Sequence, residues 1–274
     1  GDPEGGPVRQ RAGAELFVLD CCDLDGMKHA TRGADVVGHT AAAAHEGLSV
    51  FSPNTSVGAN GQASVATSTA AIANGARRIV YCSSMARYGA APVPFREDMP
   101  TAPVDPYGIA KVTGEQLLEN LCVTHGVERV VAVPHNIIGP RQKYDDPYRN
   151  VASIMINLML QGRQPIIYGD GEQKRCFSFV GDDLQVLEKL IDSPEAAGQV
   201  INIVPGRPQE VKLATCSAEK ARKLLGYKTE YTLRQGLSEM IEYIRKRGPK
   251  KFKYTFDLEI VNGKTPRTWK DRMF

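Results

Sequence analysis

The chain has 274 residues, 42% of them hydrophobic and 24% charged, with a formal net charge of +3 at pH 7. This length suits one large globular domain or a domain with an attached lobe, and so small a charge argues against nucleic acid or an acidic membrane as a partner. No apolar stretch approaches a bilayer-spanning length and the six cysteines lack metal-ligand spacing, which predicts a cytoplasmic protein without a membrane span, a signal peptide or a metal site.

Apolar runs and helical patterns alternate along the chain. Predicted strands cover residues 15–19, 35–39, 78–82 and 128–133, and predicted helices cover residues 24–30, 62–74 and 106–125. Asp105 and Pro106 are typical of the start of the last helix, and Gly126 of its end. This alternation predicts an α/β fold with a parallel sheet covered on both faces.

Polar residues follow several of these predicted strands. Asp20, His39, Ser83, Ser84 and Asn136 all lie at or just after a strand end. Ligands of parallel α/β sheets bind beyond the carboxyl ends of the strands. The sequence therefore predicts a ligand site at this edge of the sheet.

Tyr107 and Lys111 are four residues apart and share one face of the predicted helix 106–125. A phenol has a pKa near 10, so a tyrosine that acts as a base near pH 7 needs a decrease of roughly three units, or about 4 kcal/mol. A nearby ammonium group favours the phenolate, and a serine such as Ser84 can share the proton or hold a substrate hydroxyl. The pattern predicts a catalytic site; the alternative is a pair of ordinary surface residues.

A series of ordered segments carries a resemblance to one family. They are residues 19–20, 39–42, 60, 83–89, 107–111, 134–141, 167–171, 175–177, 207–210 and 218–226. In these segments the chain resembles the extended short-chain dehydrogenases/reductases, in their nucleotide-sugar epimerase/dehydratase branch. The resemblance covers the chain from about Gly13 onward and implies an NAD-dependent enzyme.

The resemblance implies a Rossmann-like doubly wound parallel sheet with a smaller C-terminal substrate-binding lobe. Residues 1–140, with residues 176–203 returning to them, would form the NAD-binding domain. Residues 141–175 and 204–247 would form the lobe, and residues 248–274 a tail. Members of the family pair through two helices per subunit, here residues 62–74 and 107–125, so a homodimer is expected.

The resemblance also assigns roles to individual residues. The expected NAD-binding residues are Asp20 and Cys21 at the adenine, Thr40, Ala41 and Ala42 under the ribose and pyrophosphate, Asn60, and Tyr107 with Lys111 at the nicotinamide ribose. The expected residues for a UDP-sugar substrate are Ser84, Asn136, Asn150, Arg175, Arg207 and Glu210. Surface positions remain the alternative for Asn150 and Arg175, and a turn or capping role for Asp20.

The residues after Ser84 help to choose the reaction. Dehydratases of the family carry an Asp-Glu pair there, and decarboxylating relatives a glutamate, whereas this chain has Met85 and Ala86. These side chains cannot transfer protons, so elimination is disfavoured. The remaining expectation is 4-epimerisation of a UDP-hexose or UDP-hexuronate: Tyr107 removes the O4 proton, NAD takes the C4 hydride, and the hydride returns to the other face. The alternatives are a non-catalytic sugar-nucleotide-binding homologue and a nucleotide-sugar 4-ketoreductase.

Two features of the family pattern are missing from this sequence. The glycine-rich fingerprint that cradles a pyrophosphate does not occur, so the first βαβ unit is expected to be absent. A second gap is expected directly after Ile203. Either the sequence records part of a longer chain, or it is a truncated homologue that binds cofactor poorly, and the mass of the purified protein distinguishes the two. The residues that choose NAD over NADP belong to the missing portion.

Overall fold

The computed structural model describes residues 13–172, 175–204 and 216–274. Its main sheet has four parallel strands in the order β1-β2-β3-β6, with bounds β1 (Val36–His39), β2 (Arg78–Cys82), β3 (Glu128–Pro134) and β6 (Val200–Ile203). A second, two-stranded parallel sheet pairs β4 (Ile137–Ile138) with β5 (Ser178–Phe179). The predicted parallel α/β fold is confirmed.

Ten α-helices connect and cover these strands within the described residues. They are α1 (Leu24–Ala30), α2 (Glu46–Ser49), α3 (Pro53–Val57), α4 (Ala63–Ala73), α5 (Pro106–His125), α6 (Val151–Leu160), α7 (Val180–Asp192), α8 (Glu219–Leu225), α9 (Leu233–Arg247) and α10 (Arg267–Lys270). A π-helical turn, Gly58–Gln62, joins α3 to α4. In this part of the chain, no helix combines the length and the hydropathy that a bilayer span requires.

Contacts of β2 show that helices cover both faces of the main sheet. The Tyr81 hydroxyl lies 3.4 Å from the carbonyl oxygen of Lys111 in α5. Arg78 is three residues earlier and therefore points to the opposite face, where it donates to the carbonyl of Leu190 in α7 at 3.0 Å. Strand β3 is covered on both sides, since residues 130–133 are at most 1% exposed.

Helix α5 begins and ends where the sequence predicts. Asp105 caps its N-terminus by accepting the backbone N–H of Gly108 at 2.8 Å, with Pro106 in the first turn. Gly126 follows the last turn in the left-handed conformation, with φ of 67°, which a residue with a Cβ atom adopts at a cost. These signals fix the position of the helix that carries Tyr107.

The smaller lobe has its own apolar cluster, formed by β4, α6, α9 and the segment between β4 and α6. Its buried members are Ile138, Tyr144, Ile156, Met240 and Ile244. Helix α8 lies elsewhere, against β6, and adds Ala221 and Leu225 to the core of the main sheet. The described part of the range 204–247 is thus shared between the two cores.

The strand predicted over residues 15–19 is wrong. The segment pairs with no strand of the described residues, and Val18 within it is 94% exposed. An apolar run becomes a strand only where a neighbouring strand supplies backbone partners. In the described part of the main sheet, β1 is an edge strand and nothing is paired beside it.

The tail, residues 250–274, lies against the body of the molecule. The carboxylate of Glu259 accepts two backbone N–H groups at the start of α3 at 2.8 Å each. Trp269 packs edge-on against Phe51 and Tyr148, with ring centroids 5.9 Å and 5.4 Å away. The tail therefore connects the loop after β1 with the lobe.

Candidate active site

Ser84 stands directly after β2, in a loop that is fastened to α5. The Ser83 hydroxyl donates to the carboxylate of Glu115 on α5, and the same carboxylate pairs with Arg87 at 2.9 Å. Ser84 Oγ accepts the backbone N–H of Ala86 at 3.2 Å and thereby opens a 3₁₀ turn. The helix that carries the predicted base thus also holds the loop that carries the predicted serine.

Tyr107 lies in the first turn of α5 beside this loop and is 5% exposed. The close approach depends on Gly108, where a Cβ atom would lie 2.9 Å from the carbonyl oxygen of Ala86. A larger residue would push the helix away from the turn. Gly108 therefore allows the Tyr107 phenol to approach Ser84.

Lys111 is buried beneath the same loop and is 1% exposed. Its Nζ donates to the carbonyl of Cys82 at 2.9 Å and lies 5.1 Å from the centroid of the Tyr81 ring. Burial lowers the pKa of Lys111 to about 8. In this structure the ammonium is therefore held at the end of β2.

The phenol of Tyr107 accordingly differs from the sequence-based expectation of a lowered pKa. Burial raises the pKa of Tyr107 to about 12, against the lowering effect of a hydrogen bond with Ser84, and the carboxylates of Glu46 and Asp105 add to the increase. Lys111 is not among the main causes of this shift. The four-residue spacing places both groups on one helix face, but the pKa of Tyr107 is raised and not lowered.

A cavity of about 920 Å³ collects five of the predicted residues: Ser84, Tyr107, Asn136, Asn150 and Arg175. This volume is within the range of small-molecule sites. Asn136 has a φ of 37° and donates to the carbonyl of Cys176 at 3.0 Å. Asn150 caps α6 through the backbone N–H of Ala152 at 2.9 Å. The cavity lies at the carboxyl ends of β2 and β3, as the sequence predicts.

A second cavity of about 620 Å³ lies beside it and is lined by the predicted residues Asp20, Cys21, Ala41 and Ala42. Asp20 accepts the backbone N–H of Cys22 at 2.9 Å, which is the turn role kept as the alternative. Thr40 is exposed at the end of β1 and lines neither cavity.

Asn60 lies below the smaller cavity and is 1% exposed. Its Oδ1 accepts the backbone N–H of Ala43 at 3.2 Å, and its Nδ2 donates to the carbonyls of Ala43 and Ser56 at 3.2 Å and 2.7 Å. These bonds use both donors of the amide. Asn60 therefore shapes the loop over residues 41–43 and does not face the cavity.

The smaller cavity fits part of a dinucleotide. The small side chains of residues 41–43 permit a close backbone approach, and Lys143 and Arg149 bring positive charge to the same cavity. Arg149 also lines the larger cavity, so it stands where a cofactor and a substrate would meet. Asp20 offers hydrogen-bond acceptors to the same cavity. NAD would be held by these residues together with the backbone of the loop.

A buried pair anchors the border between the cavities. His45 Nε2 lies 3.1 Å from Asp146 Oδ2, and the ring of Phe256 from the tail packs on His45 at 4.9 Å between centroids. Burial alone would raise the pKa of Asp146, but the hydrogen bond and charge of His45, the backbone N–H of Tyr148 and the charge of Arg149 together outweigh it and lower the pKa. The pair joins the loop after β1 to the lobe.

Sequence reasoning missed Glu46, Arg149, Trp269 and Phe274, all of which line the larger cavity. Glu46 lies two residues after the small-residue stretch 40–44, of which residues 40–42 are expected at the cofactor, and this position was a usable signal. Nothing local marks Trp269 and Phe274, because the tail reaches the cavity only through the tertiary fold. The predicted Arg207 and Glu210 lie outside the described residues.

The chain is similar to known proteins over most of its length. The model of the NAD dependent epimerase/dehydratase family matches residues 2–204. A UDP-glucose 4-epimerase of Mycolicibacterium smegmatis is 28% identical over 254 residues, which cover 81% of this chain and 80% of that protein. A dTDP-glucose 4,6-dehydratase of Streptomyces niveus is 27% identical over 254 residues, with 82% and 74% covered.

A solved structure shows the same fold. The UDP-glucose 4-epimerase of Thermotoga maritima, determined with UDP-glucose, has a TM-score of 0.76 and 24% sequence identity and covers 86% of each chain.

Proposed function

Because the chain belongs to the NAD-dependent epimerase/dehydratase family, we propose that it is an enzyme that inverts C4 of a UDP-sugar through a 4-keto intermediate. The family and its NAD cofactor, both predicted from the sequence, are confirmed. The observation that supports the proposal best is the larger cavity, in which Ser84, Tyr107 and Arg175 face one space. A UDP-sugar has a hydroxyl group that Ser84 and Tyr107 can contact, and phosphate groups that Arg175 can bind.

The two residues after Ser84 favour epimerisation over elimination. Similar proteins include both a 4-epimerase and a dehydratase, so membership of the family does not choose between them. Met85 lines the cavity, but its thioether carries no exchangeable proton, and neither does Ala86. Removal and return of hydrogen at one carbon needs only a single base.

The cofactor NAD, when bound, supplies the hydride acceptor and donor. Tyr107 would take the O4 proton, and Ser84 would hold that hydroxyl in place. Since the pKa of Tyr107 is about 12 here, the substrate complex must stabilise the phenolate. Lys111, one helical turn away, is the cation on α5 that can do so, if its ammonium moves from the Cys82 carbonyl toward the phenol.

Helix α5 has an exposed apolar surface on which a second copy of the chain could pack. We propose a homodimer formed through α4 and α5, because α5 leaves three apolar side chains exposed: Ile109, Leu117 and Val123. Light scattering of the purified protein tests this assignment. The cytoplasmic location stays a prediction from the cysteine pattern.

Replacement of the base tests the proposed function. Tyr107→Phe keeps the ring but removes the hydroxyl, so we expect UDP-glucose to UDP-galactose conversion to fall at least about a hundredfold, with the circular dichroism spectrum unchanged. Tyr243→Phe, on α9 and outside both cavities, is the matched control and should keep full activity. Full activity in the Tyr107 variant would refute the mechanism.

One observation favours the non-catalytic alternative, namely that the pKa of Tyr107 is raised to about 12 and not lowered. A binding homologue would purify without NAD and would not convert any UDP-sugar. Absorbance and fluorescence of bound NAD(H) in the purified protein therefore separate the two functions.

A further inference from the structure

Glu46 is a carboxylate in the larger cavity to which the proposed mechanism gives no role. It is the first residue of α2 and lines the cavity together with Ser84 and Tyr107. Its backbone is held in place, because the Ser49 hydroxyl donates to the Glu46 carbonyl at 2.6 Å and the preceding residue, His45, is tied to the lobe. The carboxylate is therefore presented to the cavity from a fixed position.

The carboxylate of Glu46 has no hydrogen-bond or ion-pair partner among the described residues. Its side chain is exposed toward the cavity, yet the surrounding protein removes enough water to raise its pKa, and Asp105 adds to the increase while Arg175 opposes it. An acceptor that is partly desolvated and unpaired is well placed to bind a ligand donor.

The charges near Tyr107 show which end of a substrate would meet Glu46. Glu46 and Asp105 both raise the pKa of Tyr107, and Arg149 lowers it. The Glu46 carboxylate is therefore close to the Tyr107 phenol in the cavity that both side chains line. If Tyr107 faces the C4 hydroxyl, the substituent on the adjacent C5 lies near the Glu46 carboxylate.

We propose that Glu46 selects UDP-sugars with a neutral hydroxymethyl group at C5 and discriminates against UDP-hexuronates. This inference rests on the proposed function, since it uses Tyr107 to place C4. A hydroxymethyl group donates a hydrogen bond to the Glu46 carboxylate, whereas a uronate at the same place brings a second negative charge beside it. Like charges at such a distance disfavour binding.

Binding measurements without turnover test the proposal. Tyr107→Phe serves as the host, loaded with NAD, and UDP-glucose, UDP-glucuronate and UDP are titrated by calorimetry. We expect UDP-glucose to bind about tenfold or more tightly than UDP-glucuronate. Adding Glu46→Gln should reduce the ratio of the affinity for UDP-glucose to that for UDP-glucuronate about tenfold and leave the affinity for UDP unchanged. Glu188→Gln, on the exposed face of α7, makes the same charge change and should leave the ratio unaltered.

Three results would overturn the inference. The Tyr107→Phe host could bind UDP-glucuronate as tightly as UDP-glucose or more tightly, or it could bind neither sugar nucleotide. The third is a folded Glu46→Gln variant that leaves the ratio of the two affinities unchanged. The outcome is independent of catalysis. An inactive wild-type protein that still prefers UDP-glucose would refute only the epimerase assignment. An active protein that binds both sugars equally would refute only the role of Glu46.

Discussion

Among single residues, Glu115 holds the loop that carries Ser84 without lining either cavity. Its carboxylate receives the Ser83 hydroxyl and the Arg87 guanidinium on either side of Ser84. Arg87 is 6% exposed, so its charge depends on this partner. Burial raises the pKa of Glu115, and Arg87 opposes that increase. Tyr107 and Glu115 are both on α5. The distance between Ser84 and the Tyr107 phenol thus depends on the buried ion pair of Glu115 with Arg87.

We expect Glu115→Gln to lower the free energy of unfolding by about 3 kcal/mol, because it leaves the charge of Arg87 buried without a counter-ion. Urea denaturation measures this change. Glu119→Gln, one turn further along α5, removes a partly exposed pair with Arg129 and should cost less than about 1 kcal/mol. Equal losses in the two variants would contradict the role given to Glu115.

Among the elements, the tail contributes more to the site than its sequence indicates. Thr255 and Phe256 line the smaller cavity, and Trp269 and Phe274 line the larger one. Trp269 in α10 also packs on Tyr148. A single segment far along the sequence therefore forms walls of both candidate binding spaces.

Trp269→Ala should raise KM for the UDP-sugar about tenfold with little change in kcat, because the variant removes a wall of the cavity and leaves Tyr107 and Ser84 in place. Steady-state kinetics with purified protein provide both constants. Arg267→Ala, on the same helix and exposed, is the control and should keep the wild-type KM. A large decrease in kcat with an unchanged KM would show that the tail acts on the chemical step instead.

Local signals account for the parts of this fold that the sequence predicted. The bounds of α5 follow from Asp105, Pro106 and Gly126, and the buried strands from their apolar runs, so these elements and the residues at their ends were predictable. The run at residues 15–19 carries the same signal but has no partner strand, and such pairing is not encoded locally. Glu46 and Trp269 reach the cavity through tertiary contacts, which no spacing along the chain reveals.

For the whole molecule, buried histidines link stability to pH. His39 is 3% exposed, stacks on Tyr81 at 5.6 Å and lies 3.2 Å from Ser64 Oγ. Burial, with a smaller effect of Lys111, lowers the pKa of His39 to about 4. Burial likewise lowers the pKa of His135 to about 4. In the unfolded chain the two imidazoles take up a proton near pH 6.5. The stability that neutral His39 and His135 contribute is therefore fully present above that pH and is lost as pH falls toward 4.

We expect the free energy of unfolding to decrease by roughly 3 kcal/mol for His39 alone between pH 6.5 and pH 4. Urea midpoints across this range measure the slope. His39→Gln cannot take up the proton and should flatten the dependence, whereas His29→Gln, at an exposed position of α1, should not. An unchanged slope in the His39 variant would show that other groups control acid unfolding.

The most direct test of the proposed function follows the hydrogen at C4. Wild-type protein with NAD is incubated with UDP-glucose deuterated at C4, and the products are identified by NMR. If the C4 hydrogen is removed and returned within one site, UDP-galactose forms with deuterium retained at C4 and no solvent hydrogen enters the ring. A 4-keto-6-deoxy product, or exchange of the C5 hydrogen with solvent, would instead show elimination chemistry and contradict the assignment.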